Sequence, residues 1–155
     1  RRVLFRSEYR YNRTMFRINT ANRRRVSTQV TTTIGSFYDG HRRDFNMDLN
    51  LRPKRGVLAT LGSTFNRIEL PQGNYSTKIL RAVVNTQFTP FASLSNNIQY
   101  DTVSRILGWQ MRFRWIMKAG DDLYFVWMNN WLDTGSKMLT LDRNATTKIV
   151  YTRRF

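Results

Sequence analysis

Residues 44–52, Asp44-Phe45-Asn46-Met47-Asp48-Leu49-Asn50-Leu51-Arg52, alternate polar and apolar without a break. Successive side chains of a strand point to opposite faces. This stretch therefore presents Phe45, Met47, Leu49 and Leu51 on one side and Asp44, Asn46, Asp48, Asn50 and Arg52 on the other. A helix, with its longer period, would scatter the same apolar residues around its axis. The pattern returns in Trp109-Met111-Phe113-Trp115-Met117, set against Gly108, Gln110, Arg112, Arg114 and Lys118. It returns again in Val57-Ala59-Leu61-Ser63-Phe65 and in Leu80-Ala82-Val84-Thr86-Phe88, where Ile79 and Val83 blur a polar face carrying Arg81, Asn85 and Gln87. A period of two with one wet and one greasy face predicts an all-β chain.

Turn signals separate these runs: Ala21-Asn22, Asp39-Gly40, Pro53-Lys54-Arg55-Gly56, Pro71-Gln72-Gly73-Asn74, Pro90, Ala119-Gly120 and Asp133-Thr134-Gly135. Asp-Gly and Gly-Asn supply the positive φ that tight hairpins favour. The punctuation predicts strands over 10–20, 23–37, 41–52, 57–70, 75–89, 91–103, 105–118, 121–132 and 144–155. Each matches or exceeds the roughly 9–11 residues of a tilted strand crossing a bilayer. The simplest topology is an antiparallel up-and-down transmembrane β-barrel of eight or nine strands, with residues 1–155 forming one domain.

The charge balance invites a different reading. Of 26 basic residues 21 are Arg, against 10 acidic residues, for a net charge of +16. Such an excess ordinarily points to a polyanion, either nucleic acid or membrane phosphates. Aromatic residues make up 14% of the chain and there is no Cys, which excludes disulfides, thiolate metal sites and Cys nucleophiles. No apolar run approaches the length of a transmembrane helix, whereas a β-barrel needs only alternate residues to be apolar.

The last ten residues, Thr146 to Phe155, also alternate and stop on an aromatic residue. Ile149, Tyr151 and Phe155 fall on one face, interrupted by Arg153. An end of this kind resembles the closing strand of bacterial outer-membrane barrels, whose C-terminus lies in the periplasm with short turns beside it. Counting back from Phe155 places turns 118–121, 89–91, 53–56 and 21–22 on the periplasmic side, and loops 132–143, 102–105, 71–74 and 38–40 outside. Arg23, Arg24, Arg25, Arg52, Lys54, Arg55, Lys118, Arg153 and Arg154 then share the periplasmic rim, where long basic side chains reach headgroups.

Several stretches together resemble the poorly characterised bacterial outer-membrane proteins that carry a family-9-like carbohydrate-binding domain ahead of a C-terminal barrel. They are Phe37-Tyr38-Asp39-Gly40, Arg52-Pro53, residues 69–77 (ELPQGNYST), residues 99–105 (QYDTVSR), Arg112-Phe113-Arg114-Trp115, residues 120–127 (GDDLYFVW) and residues 148–155 (KIVYTRRF). The resemblance spans roughly residues 10–155. It implies the C-terminal part of a larger barrel in the outer membrane, without the binding domain. Implied partners are outer-membrane lipid, the barrel-assembly machinery acting on the C-terminal strand, and missing N-terminal strands or a partner protein. Arg153 stands where the family's closing strand usually has an apolar residue, which weakens the assembly signal.

No residue pattern here points to catalysis. His41 is the sole histidine, beside Arg42 and Arg43 at a hairpin, and reads as a surface residue. Asp121-Asp122 diverge to opposite faces of a strand, so they do not form an acid/base pair. Neither a phosphate-binding glycine loop nor a nucleophile elbow is present. The expectation is a non-enzymatic, structural or channel-like barrel piece with no cofactor, no metal and no nucleic acid. Its polar lining comprises Asp44, Asn46, Asp48, Asn50, Arg81, Arg112 and Arg114, and an arginine ring of that kind can favour anions. Its lipid-facing set comprises Phe45, Met47, Leu49, Leu51, Trp109, Met111, Phe113, Trp115, Ile149, Tyr151 and Phe155. Trp109, Trp115, Trp127 and Trp131 with Tyr124 and Tyr151 read as interfacial girdles, or alternatively as a base-stacking platform. The rival reading is a basic all-β nucleic-acid-binding or capsid-type domain, in which the apolar set packs inward against a second sheet. A third, the membrane-associated hydrolase, rests on labels borne by some family members.

Overall fold

The structure, a computed structural model, describes residues 11–152. Nine strands follow one another: β1 (Arg13–Asn19), β2 (Val26–Phe37), β3 (Gly40–Leu51), β4 (Val57–Leu70), β5 (Gly73–Thr89), β6 (Ala92–Asp101), β7 (Ile106–Lys118), β8 (Asp121–Asp133) and β9 (Met138–Val150). They form a single sheet in sequence order, every neighbouring pair antiparallel. This is the up-and-down all-β architecture expected from the alternation. No helix among the described residues is long and apolar enough to cross a membrane.

Cross-strand partners point to the same side of a sheet, so the register sorts every side chain. Thr32, Phe45 and Phe65 lie abreast on β2, β3 and β4. Leu61, Ala82, Ile98, Trp109 and Asn129 continue the same face across β4 to β8. The opposite face carries Gln29, Asp48, Gly62, Arg81, Gln99, Gly108, Asn130 and Asp142 in one row. One face of the sheet is thus mostly apolar and the other mostly polar over its whole width.

Nothing among the described residues covers the apolar face. Among the described residues no apolar side chain is buried, and Phe16, Ile34, Phe45, Met47, Leu61, Leu80, Ile98 and Trp115 are all exposed. The buried residues among those described are all polar: Ser27, Thr31, Asp121 and Asn129. A soluble sandwich shows the reverse, with the apolar faces of two sheets interdigitated. The inward packing expected of a capsid-type domain is therefore not what the chain adopts.

Most strand boundaries fall within about three residues of the sequence reading, and the two largest differences are both in the last strand. The last strand was expected over 144–155 after a long loop, 132–143, but β9 already starts at Met138 and ends at Val150. The loop shrinks to residues 134–137, closed by Thr134 N–H on Lys137 O at 3.0 Å and Lys137 N–H on Thr134 Oγ1 at 3.2 Å. The cause is a register shift opposite Asn130/Trp131, which leaves Leu141 unpaired between Thr140 and Asp142. An extra residue in a strand breaks the period-two frame, so Met138–Leu141 do not read as continuous with Arg143–Ile149. Beyond β9, Tyr151 is 72% exposed and has no ladder partner. Thr152 is instead held by its N–H on Asp121 Oδ1 at 2.9 Å and its hydroxyl on Gly120 O at 2.8 Å. The anticipated end of the closing strand, Arg153-Arg154-Phe155, lies outside the described residues.

The Asp39-Gly40 hairpin is also built differently. Tyr38 takes the positive φ (50°), and Gly40 belongs to the strand. Gly40 is required for space: a Cβ there would collide with the carbonyl oxygen of Glu69.

Candidate functional site: a basic recess on the polar face

The polar face is organised by short ion pairs and amide contacts between neighbouring strands. Arg42 Nε bonds Asp44 at 2.8 Å along β3. Arg81 Nη2 reaches Asp48 Oδ1 at 3.2 Å across β4, passing over Gly62. A Cβ on Gly62 would sit 2.7 Å from Asp48 Oδ1, so the glycine leaves room for that bridge. Thr60 Oγ1 donates to Asn50 Oδ1 at 2.7 Å, and Asn66 Nδ2 to Thr77 Oγ1 at 3.1 Å. Farther along, Arg114 Nη2 and the Tyr124 hydroxyl both donate to Asp122 Oδ2, at 2.9 and 3.1 Å. The Arg114 guanidinium lies 5.5 Å from the Tyr124 ring centre.

Toward the end of the sheet formed by turns 20–25, 52–56, 90–91 and 119–120, this face opens into a cavity of about 830 Å³. Six cationic side chains line it: Arg25, Arg52, Lys54, Arg55, Arg112 and Arg114. No Asp or Glu does. Arg25 precedes β2 while Tyr124, also in the lining, belongs to β8. Six spacings of about 4.8 Å would separate those strands by roughly 29 Å in a flat sheet. One cavity touches both, so the sheet curls toward its polar side. Of the six cations only Arg114 has a carboxylate partner among the described residues.

Smaller recesses continue from this cavity along the polar face. One of about 220 Å³ shares Ser95 and Arg112 with it and adds Asn97 and Gln110. The next, about 310 Å³, shares Asn97 and Gln110 and adds Gln99, Asp101 and Asn130. Arg114 Nε and Asn97 Oδ1 are buried and have no hydrogen-bond partner among the described residues. A buried polar atom left unpaired is costly.

All seven residues expected to line the interior, Asp44, Asn46, Asp48, Asn50, Arg81, Arg112 and Arg114, sit together on the polar face. Phe45, Met47, Leu49, Leu51, Trp109, Met111, Phe113, Trp115 and Ile149 share the apolar face. Tyr151 has left the sheet, and Phe155 is outside the described residues. Trp127 and Trp131 join Trp109 and Trp115, so all four tryptophans are on the apolar side. Tyr124 was grouped with this aromatic set, but its register opposite Arg114 turns it to the polar face. Trp127 pairs with Met111 at mid-strand, so the tryptophans are spread along the strands rather than confined to two belts.

The sequence reading missed the convergence of the turn cations. Arg25, Arg52, Lys54 and Arg55, placed at one rim by the sequence reading, are exposed at that end of the sheet and line the recess there with Arg112. It also missed polar groups on the apolar face. Asn96 accepts from Trp109 Nε1 at 3.3 Å, and Arg143 lies 5.8 Å from the Trp127 ring centre. His41 is exposed, abreast of Ser36 and Glu69. No cluster of three metal-ligating side chains occurs among the described residues.

No family model matches the chain, and no curated protein matches it by sequence. Among solved structures it is similar to the KdgM porin, solved in complex with disordered oligogalacturonate. That similarity covers 93% of this chain and 76% of the porin, with a TM-score of 0.50 and 9% sequence identity. The fold is that of an up-and-down antiparallel β-barrel. At so low an identity the likeness concerns backbone architecture, and oligogalacturonate is a ligand of that porin.

Proposed function

We propose that this chain forms part of the wall of a channel-type β-barrel in the bacterial outer membrane, its apolar face against lipid and its polar face lining the lumen. The observation that carries this reading is a continuous apolar face with no second sheet over it and no buried apolar core among the described residues. In water such a face is a large aggregation or interaction surface; against hydrocarbon it is the ordinary exterior of a barrel. The porin-like fold supports the reading, and nothing supports the capsid or nucleic-acid alternative. The chain acts as a conduit, with no chemistry of its own. Turns 20–25 and 52–56 lie at the periplasmic side in this reading, together with the C-terminus.

The barrel needs further strands. Nine strands alternating in direction leave β1 and β9 running the same way, and the two are unpaired with each other among the described residues. Joining them directly would create a parallel pair, while bacterial barrels close antiparallel with an even strand number. An odd number of additional strands, from the same polypeptide or a partner, completes the ring. That the KdgM porin is only 76% covered fits such an addition. The stretches quoted above keep the barrel of the proteins with a family-9-like carbohydrate-binding domain as the proposed kinship.

The four outward tryptophans allow a direct test. Reconstituted in bilayers of brominated phosphatidylcholine, the chain should lose most of its tryptophan emission, because heavy-atom quenching acts only at contact with acyl chains. Solubility as a monodisperse species without detergent, with emission unaffected by brominated lipid, would overturn the reading.

A further inference from the structure

We propose that the basic recess and the amide track beyond it form a binding site for an acidic oligosaccharide, a ligand class that refines the channel reading above. The first observation is charge without compensation. Arg25, Arg52, Lys54, Arg55 and Arg112 line one cavity with no carboxylate in its lining and no ion-pair partner among the described residues. Elsewhere on the same face Arg42 and Arg81 are each neutralised by an aspartate. The contrast lies within one face of one sheet, so a general need for solubility does not account for it. Converging unpaired cations repel one another, and an anion relieves that repulsion. Guanidinium forks match the two oxygens of a carboxylate.

The second observation is what adjoins the cations. From the cavity the recesses run past Ser95, Asn97, Gln110, Gln99 and Asn130, neutral donors and acceptors on neighbouring strands, and end beside Asp101, the one carboxylate in their lining. From Arg114 to Gly108 this track extends about 20 Å along β7, enough for several sugar rings. Amides and hydroxyls pair with sugar hydroxyls in both directions, giving and accepting protons. The buried, unpartnered Asn97 Oδ1 and Arg114 Nε sit at the two parts of this site, one in the track and one in the cavity lining. A hydroxyl would satisfy the first and a carboxylate oxygen the second.

A nucleic-acid strand shares the negative charge but requires aromatic faces for its bases. By register all four tryptophans belong to the opposite face, with Trp109 bordering the far recess beside Gly108, and Tyr124 is the one aromatic residue lining the main cavity. Inorganic phosphate or a lipid headgroup would use the cations and leave the amide track idle.

The test is isothermal titration of the full chain in zwitterionic detergent micelles. The titrants are hexagalacturonate, neutral maltohexaose and inorganic phosphate. Hexagalacturonate should bind at least about tenfold more tightly than maltohexaose, and its affinity should fall as salt screens the cations. The triple variant Arg52→Gln, Arg55→Gln, Arg112→Gln should weaken hexagalacturonate by about tenfold or more, as expected when charge-assisted hydrogen bonds are lost. Asn97→Ala with Gln110→Ala should weaken hexagalacturonate several-fold and leave phosphate unchanged. Arg143→Gln, on the opposite face, should alter none of these values, and far-UV circular dichroism verifies that each variant is folded. Equal affinity for maltohexaose, an unaffected triple variant, or phosphate binding as tightly as hexagalacturonate would each overturn the proposal. The channel reading fails separately: a chain that binds hexagalacturonate but is not quenched by brominated lipid keeps the site and loses the membrane. A chain quenched by lipid that binds no hexagalacturonate does the opposite.

Discussion

The two faces of this sheet are made by the same strands and differ in almost every other respect. On one, Phe45 and Met47 of β3 and Trp109, Met111, Phe113 and Trp115 of β7 share a surface with few polar contacts, such as the bond from Trp109 Nε1 to Asn96. On the other, Asp44, Asp48, Arg81, Asp122 and Arg114 are knit by ion pairs of 2.8–3.2 Å. In a water-soluble domain the apolar face would be the interior, and burying it would supply most of the stability. Here the polar face is the concave one and the apolar face is bare. The medium outside must therefore supply what a core supplies elsewhere, so the same substitution should act very unequally on adjacent residues.

The sharpest break of that contrast places an arginine on each face of β7. Met111→Arg puts a charge at mid-strand on the apolar side and should destabilise the chain in bilayers by about 2–4 kcal/mol. Gln110→Arg, one residue away on the polar side, should stay within about 0.5 kcal/mol. Reversible denaturant unfolding in lipid vesicles checks both, and equal effects would end the distinction between the faces. A smaller effect is expected at Gly62, where a side chain would intrude between Asp48 and Arg81. Gly62→Leu should cost about 1 kcal/mol in the same assay, since the pair is half exposed and worth little by itself. The smallest concerns binding. Asp122 neutralises Arg114, so Asp122→Asn should tighten hexagalacturonate by roughly threefold, the size of one screened charge at a few ångströms. Titration calorimetry at low salt reads this shift, and weaker binding would show that Asp122 orients Arg114 more than it offsets its charge.

How far the chain could be read without its structure varies from strand to strand. The run 44–52 was legible because each of its two faces is chemically uniform, and its partners Phe65 and Gly62 preserve that division. β7 was equally clear. β9 was not, since the unpaired Leu141 shifts the alternation by one residue and makes two short patterns of one strand. Gly40 was assigned to the hairpin for its conformational freedom, whereas the neighbouring Glu69 carbonyl explains it. That reason is invisible along the chain, because β3 and β4 meet at a register set by the turn between them. Tyr124 was misplaced by judging aromatic character ahead of position; its even spacing from Asp122 and Val126 was the available signal.

The recess shows the same limit in functional terms. Arg52, Lys54 and Arg55 are neighbours in one turn, and Arg112 and Arg114 alternate along one strand, so each group is visible separately. Their meeting depends on three strands, β4 to β6, lying between them and on the curl that brings β2 and β8 to one cavity.

By itself the sequence determined that this chain would be two-faced strands joined by short turns, because period-two alternation follows from the covalent geometry of an extended backbone. It also determined which residues would be companions on a face within each strand. Tertiary structure alone decided that the polar face would be the hollow one. It also decided that the turn cations and mid-strand arginines would share a cavity, and where β9 would start. Those outcomes depend on cross-strand register, a local bulge and the accumulated curl of nine strands, and none of these is encoded at any single position.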